Sequence, residues 1–166
     1  ALFTRLKTVY KSRKESNLKA EQLRLVERLY NQAVRSGANL EGEARERFAA
    51  INERLSSLTT AFGQNSLNDS KAFKLVLAEG DLAGMSQSMI DAAAASAAAQ
   101  GMKGKYLITL QRSSIEPFLQ FSDRRDLREK AFKGWAMRGD NDNEFDNKAN
   151  IKEIVKLRAE RAQLLG

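Results

Sequence analysis

Five apolar residues, Phe48, Ile51, Leu55, Leu58 and Phe62, follow one another at spacings of three, four, three and four. A helical repeat of 3.6 residues puts such positions on one face, so the pattern predicts a long amphipathic helix over about 42–66. A face of that length has to be covered, which commits the chain to a packed helical fold. Gly63 lies inside or near the end of this helix. Upstream, the same repeat predicts a helix over 2–14 with Leu2, Leu6, Val9 and Tyr10 inward, interrupted by Asn17. Another follows over 19–35, with Leu25, Leu29, Gln32 and Val34 inward and Gly37 as its C-cap.

The pattern then changes. Residues 72–84, AFKLVLAEGDLAG, hold a short β-prone run that ends at Gly80, and 103–110, KGKYLITL, hold a second. In the second run Tyr106, Ile108 and Leu110 alternate against Leu107 and Thr109. Ser86 is placed to cap a helix over 87–100 that Gly101 closes, and its alanines are strong helix formers. Strand, helix and strand then form either a crossover unit or a hairpin-like pair. The single proline, Pro117, predicts a loop over 111–120 with at most a short turn of helix. Ser122 or Asp123 then caps a helix whose apolar face is Leu127, Ala131, Phe132 and Trp135, ended by Gly139. Asp146 or Asn147 caps a last helix carrying Ile151, Ile154, Val155, Leu157, Ala162 and Leu165. The expected fold class is mainly α, a multi-helix chain with a small two-stranded β element. Its regions are a helical hairpin over 1–70, a β/helix insert over 71–110 and a helical pair over 111–166.

Composition narrows the chemistry. The 166 residues include no cysteine and no histidine, which removes thiolate catalysis, disulfides, the usual proton shuttle near neutral pH and the commonest zinc ligand. The net charge of +7 raises nucleic acid as a partner. However, residues 1–20 alone hold six basic residues against Glu15, so little excess is left for the rest. That distribution argues against a nucleic-acid binder. No apolar run reaches the length of a membrane span, and the first residues do not read as a signal peptide. Both ends read as helix cut part-way, so the sequence predicts a fragment that self-associates or swaps elements through exposed apolar surface.

Each candidate site has a structural competitor. In GDNDNEFDN, residues 139–147, Asp140, Asp142 and Glu144 alternate like the ligands of a calcium loop. That template needs glycine at its sixth position and glutamate at its twelfth, where Phe145 and Ile151 stand, so a polar inter-helix turn is expected. GANLEG and EGDLAG lack the lysine and hydroxyl of a phosphate loop. Lys71, Lys103 and Lys105 have no spacing that marks a base. Glu27, Glu43, Glu53, Asp81, Asp91 and Glu116 could pair as glycosidase carboxylates, but no aromatic-rich surface flanks them in sequence. Arg124, Arg125 and Arg128, interleaved with Asp123, Asp126 and Glu129, predict solvated i,i+4 pairs first and inter-helix clamps second. Arg158 and Glu160 are too close along a helix to face each other and predict partners elsewhere. The sequence therefore assigns no catalytic, cofactor-binding or metal-binding residue within this chain.

Several blocks, taken in order, carry a family resemblance. They are SGANLEGEARERFAAINERLSSLTTAFGQN (36–65), the stretch NDSKAFKLVLAEGDLAGMSQSMIDAAAASAAAQGMKGKYLITL, FSDRRDLREKAFKGWAMRGD (121–140) and DNKANIKEIVKLRAERAQLLG (146–166). Together they resemble the M3 family of zinc metallopeptidases, nearest its peptidyl-dipeptidase branch. The resemblance implies a largely helical, two-lobed parent with a deep channel, acting in the cytoplasm on short peptides. Its zinc would be held by an HExxH helix and a downstream glutamate, with water attacking the peptide bond. This chain would correspond to the later part of the non-catalytic N-terminal region. Its partners would be the remainder of the parent, including the HExxH domain, and zinc would be a cofactor of the parent only. Without histidine no HExxH is present here, so only structural positions carry over. These are the Gly37 turn, the Phe48–Phe62 face, the Asp123–Arg128 cluster, Asp146–Asn147 and Leu164–Leu165–Gly166. Two alternatives remain open at this point, a standalone helical interaction module and a weak basic nucleic-acid-binding domain.

Overall fold

The Phe48–Phe62 repeat does form a helix, and a longer one than its anchors require. In the computed structural model, which describes residues 2–166, it runs over Gly42–Ala72 as α3, with Gly63 inside it. The other elements are α1 (Leu2–Ser12), α2 (Ala20–Arg35), β1 (Leu75–Leu77), a 3-10 turn (Glu79–Asp81), α4 (Gln87–Ala99), β2 (Tyr106–Ile108), α5 (Arg112–Phe121), α6 (Arg125–Ala136) and α7 (Lys148–Leu165). The chain is mainly α with one small sheet, as the sequence predicts. It divides into two units, residues up to Ser57 with Glu153–Gly166, and Leu58–Lys152.

In the first unit the aromatic residues decide the packing. Tyr10 and Tyr30 stack with ring centroids 3.8 Å apart, and Phe3 lies 5.9 Å from Tyr30. The Arg13 guanidinium covers the Tyr10 ring and donates to Glu27 Oε1 at 3.3 Å. This ladder turns Leu23, Val26, Tyr30 and Ala33 of α2 inward and leaves Leu25, Leu29 and Gln32 exposed, contrary to the sequence reading. Two apolar stripes exist on α2, and the one containing the stacking tyrosine is covered. On α1 the same ladder points Leu2 and Val9 outward, and the helix ends at Ser12 instead of residue 14. Ile51 and Leu55 of α3 and Leu157 of α7 are the buried hydrophobic residues of this unit. Gly37 has φ +85°, and a Cβ there would lie 2.6 Å from the Phe48 ring, so the turn is glycine because the ring fills that space.

The second unit is built on an antiparallel pair, β1 and β2, in the register Leu75↔Ile108, Val76↔Leu107 and Leu77↔Tyr106. Of the two arrangements left open by the sequence, this is the hairpin-like one. Leu107 and Ile108 are both buried, so β2 is covered on both faces and the expected in–out alternation is lost. Leu77, Ala93, Ile108, Leu110, Ile115, Phe118, Leu127 and Ala131 form one continuous core. Residues 111–120 are helix α5 and not a loop, with Pro117 at its sixth position. Proline there removes a single main-chain N–H donor, while Ile115 and Phe118, both fully buried, hold the helix against the core. Ser86 precedes α4 but its hydroxyl bonds the Ser88 hydroxyl at 3.0 Å instead of capping the helix. Phe132, Ile151 and Val155, expected inside, are exposed, as are Phe62 at the edge of the α3 face and Ala162.

Candidate functional site

The apolar repeat of α3 continues beyond Phe62 in a different chemistry. Leu58, Phe62, Asn65 and Asp69 keep the four–three–four spacing, so polar side chains occupy the same helix face one to two turns further on. Asp69 is 6% exposed and accepts three hydrogen bonds: from Gly139 N–H at 2.7 Å, Asn141 Nδ2 at 2.8 Å and Asn143 Nδ2 at 3.0 Å. Asn141 and Asn143 alternate in the loop, and both amides converge on this one carboxylate. Burial alone would raise the Asp69 carboxyl, but the bonds from Gly139, Asn143 and Asn141 outweigh it and hold the group below the usual aspartate range.

Asn147 forms the second anchor. Its Nδ2 donates to the Phe62 carbonyl at 3.1 Å and to Ser66 Oγ at 3.2 Å, and its Oδ1 accepts from Asn65 at 3.1 Å and Asn150 at 2.9 Å. Its main-chain N–H donates to the Gly139 carbonyl at 2.7 Å, which closes the loop on itself. Asp146, one of the two residues expected from sequence to cap α7, lies just before that helix and accepts the Lys148 N–H at 2.8 Å. The Lys148 ammonium sits 2.8 Å from Asp140, 2.7 Å from Asp142 and 2.8 Å from Asp146. It holds the Asp146 carboxyl low and is itself held well above the ordinary lysine range by the three carboxylates.

A metal fits this loop poorly. The aspartates that alternate like calcium ligands already surround a tethered cation, and both oxygens of Asp69 are engaged by N–H donors. Among the described residues no group of three or more His, Cys, Asp or Glu side chains is placed to hold a metal ion. The zinc implied by the resemblance does not fit the donors of this chain. Chemically, the arrangement fixes one inter-helix loop to α3 through hydrogen bonds that are closed within the protein. Nothing in the letters singled out Asp69, although its place in the α3 repeat was the available signal.

The remaining candidates are distributed. Arg124 pairs with Asp126 and with Asp81 of the 3-10 turn, and Arg128 donates to the Ser122 carbonyl, so this cluster clamps the start of α6. Asp126 is held low by Arg124. The helix begins at Arg125, with the Ser122 hydroxyl accepting the Arg124 N–H at 3.3 Å. Glu129 instead pairs with Lys133 in an i,i+4 arrangement at 2.6 Å. In the first unit Glu160 takes Arg47 bidentately at 2.5 and 2.7 Å, and Glu153 takes Arg54 at 2.6 and 2.7 Å. Glu160 thus finds the distant partner its spacing predicted, while Arg158 is exposed. Glu27, Asp81, Asp91 and Glu116 are engaged by Arg13, Arg124, Gln87 and Arg112, and Glu43 and Glu53 are exposed. Lys71, Lys103 and Lys105 are exposed too. Leu164 and Leu165 are half-buried at the end of α7, before Gly166 at φ +89°.

Comparison with known proteins shows what these parts are similar to. Dipeptidyl carboxypeptidase of Escherichia coli is 35% identical over 99% of the chain, and a probable cytosolic oligopeptidase A of Arabidopsis thaliana is 33% identical over 99%. Oligopeptidase A of Haemophilus influenzae is 38% identical over 79%. The chain is homologous to a segment of the M3 peptidases. It spans about a quarter of the length of the first two relatives, 24% of each. No family model matches it. The M3 homology runs through both units, so the anchors at Asp69 and Asn147 and the clamp at Arg124 lie within the matched stretch. Among the described residues no helix is long and apolar enough to cross a membrane.

Proposed function

We propose that this chain is a non-catalytic helical portion of a zinc-dependent oligopeptidase and forms part of the wall of its peptide channel. The observation that carries the reading is a chain without histidine that aligns almost end to end with a quarter of each peptidase. The parent would hydrolyse short peptides in the cytoplasm, releasing C-terminal dipeptides, with zinc held by an HExxH domain elsewhere in its sequence. Within this reading the residues described above do not react; they hold helices and loops in fixed positions. A wall must keep its shape while peptides pass, and closed hydrogen-bond anchors at Asp69 and Asn147 supply that rigidity.

The test is a zinc-supplemented assay on a fluorogenic oligopeptide, with the 166-residue chain compared with the full-length parent. Turnover is expected from the parent alone and should disappear with chelator. Zinc-dependent turnover in proportion to the concentration of the 166-residue chain would overturn the proposal.

The same reading predicts self-association of the isolated chain. Leu2 is 80% exposed, Val155 62%, Phe132 56% and Leu25 55%, and exposed apolar side chains favour association. Sedimentation should therefore show dimers or larger species growing with concentration. A monomer throughout would count against it.

A further inference from the structure

The positive charge of this protein is concentrated in its first unit. That unit carries 15 basic and 9 acidic residues, against 13 and 12 in the second. Within it Arg24, Arg28 and Arg35 lie on the outer face of α2, separated by four and seven positions. They line a shallow groove of about 560 Å³ with Asn31, Gln32 and Ser36, and all six are exposed. Arg13 is neutralised by Glu27, Arg47 by Glu160 and Arg54 by Glu153. Arg24, Arg28 and Arg35 have no ion-pair or hydrogen-bonding side-chain partner among the described residues. Glu21, one turn before Arg24 on the same helix, forms no ion pair with these arginines among the described residues, so the three guanidiniums are open to an anion from outside.

We infer that this face of α2 binds an acidic peptide in extended conformation, with its side-chain carboxylates on the guanidinium groups; as a substrate class for the parent this rests on the peptidase reading. Four helical positions rise about 6 Å, close to the roughly 6.7 Å between alternate side chains of an extended strand. Acidic residues two apart in such a peptide therefore meet Arg24 and Arg28, and a further one reaches Arg35 about two turns on. Asn31 and Gln32 interleave amides that both donate and accept, which suits a peptide main chain. Other occupants fit less well. Single-stranded nucleic acid is held by stacking on aromatic rings, and none lines this groove. A second copy would bring the same positive unit against it, and like charges oppose such docking. Dry packing against an apolar protein surface would bury three unpaired guanidiniums at high cost.

The experiment measures anisotropy of a fluorescein-labelled peptide with glutamate at alternate positions, titrated with the full chain at low salt. Saturable binding is expected, weakened about tenfold or more in Arg24→Gln/Arg28→Gln through loss of two charge-assisted contacts. The control Lys103→Gln/Lys105→Gln, in the other unit, removes the same charge and should bind as the wild type. Equal binding by both double variants would overturn the inference, as would tighter binding of a single-stranded oligonucleotide of matched charge. In the parent, Arg24→Gln/Arg28→Gln should raise KM for the acidic peptide and leave that for a neutral peptide unchanged; an equal rise for both would refute the substrate assignment. A parent that cleaves neither peptide would refute the peptidase reading, while the anisotropy titration still decides the groove.

Discussion

Gly84→Ala should destabilise the second unit by about 3–6 kcal/mol, read as a lowered urea midpoint. Gly84 sits at φ +82°, where an L side chain is strained by roughly 1–2 kcal/mol. A Cβ there would lie 2.2 Å from the Phe121 carbonyl oxygen and 2.8 Å from the Asp123 nitrogen, both main-chain atoms that cannot swing aside. Moving them apart breaks the 2.9 Å bond from Asp123 N–H to the Ala83 carbonyl, worth about 1 kcal/mol, and shifts the end of α5. Overpacking adds a further 1–3 kcal/mol or so. Gly80→Ala is the matched control, because nothing lies within 4 Å of its added carbon. Its effect should stay within about 0.5 kcal/mol. Because Gly80 also lacks the positive φ, equal midpoints for the two variants would show that neither the left-handed strain nor the close approach at Gly84 carries a cost.

What the sequence made legible follows from which interactions are local. The α3 repeat was readable because helix periodicity is a property of neighbouring residues, and so were the β-prone runs and the polar character of 139–147. The inward stripe of α2 was not, since Leu25 and Leu29 have the same spacing as the residues that are covered. Only the stacking of Tyr30 on Tyr10, twenty positions away, distinguishes them. Pro117 misled for a related reason. Its local effect on the main chain is real, but the burial of Ile115 and Phe118 against residues distant in sequence outweighs one lost donor. The loop also shows what letters leave open. Its alternating acids suggested a cation, and a cation is there, but it is the ammonium of Lys148. Gly84 was visible only as one more glycine in EGDLAG, because the main-chain atoms it must approach lie at residues 121–123.

The largest side-chain effect is expected at Asp69. Asp69→Ala leaves the N–H of Gly139, a buried residue, and the amides of Asn141 and Asn143 without their common acceptor. Stranding the buried Gly139 donor, and taking the charged acceptor from two exposed asparagine side chains, should cost about 2–4 kcal/mol. Asp69→Asn preserves the shape but offers one acceptor oxygen and turns an NH2 toward groups that are themselves donors, so about 2–3 kcal/mol is expected. The pH dependence separates a charged anchor from a merely well-packed side chain. The folded Asp69 carboxyl lies below its ordinary value, so its contribution is fully present above the unfolded aspartate pKa of about 3.9 and is lost as pH falls through the folded value. Asp126, Asp146, Glu129, Glu153 and Glu160 are depressed as well, so acid destabilises both proteins. Only the wild type has the Asp69 share to lose. Urea midpoints of wild type and Asp69→Asn should therefore differ widely at neutral pH and draw together below about pH 4. A gap that stays constant down to acid pH would mean that packing around Asp69, and not its charge, holds the loop to α3.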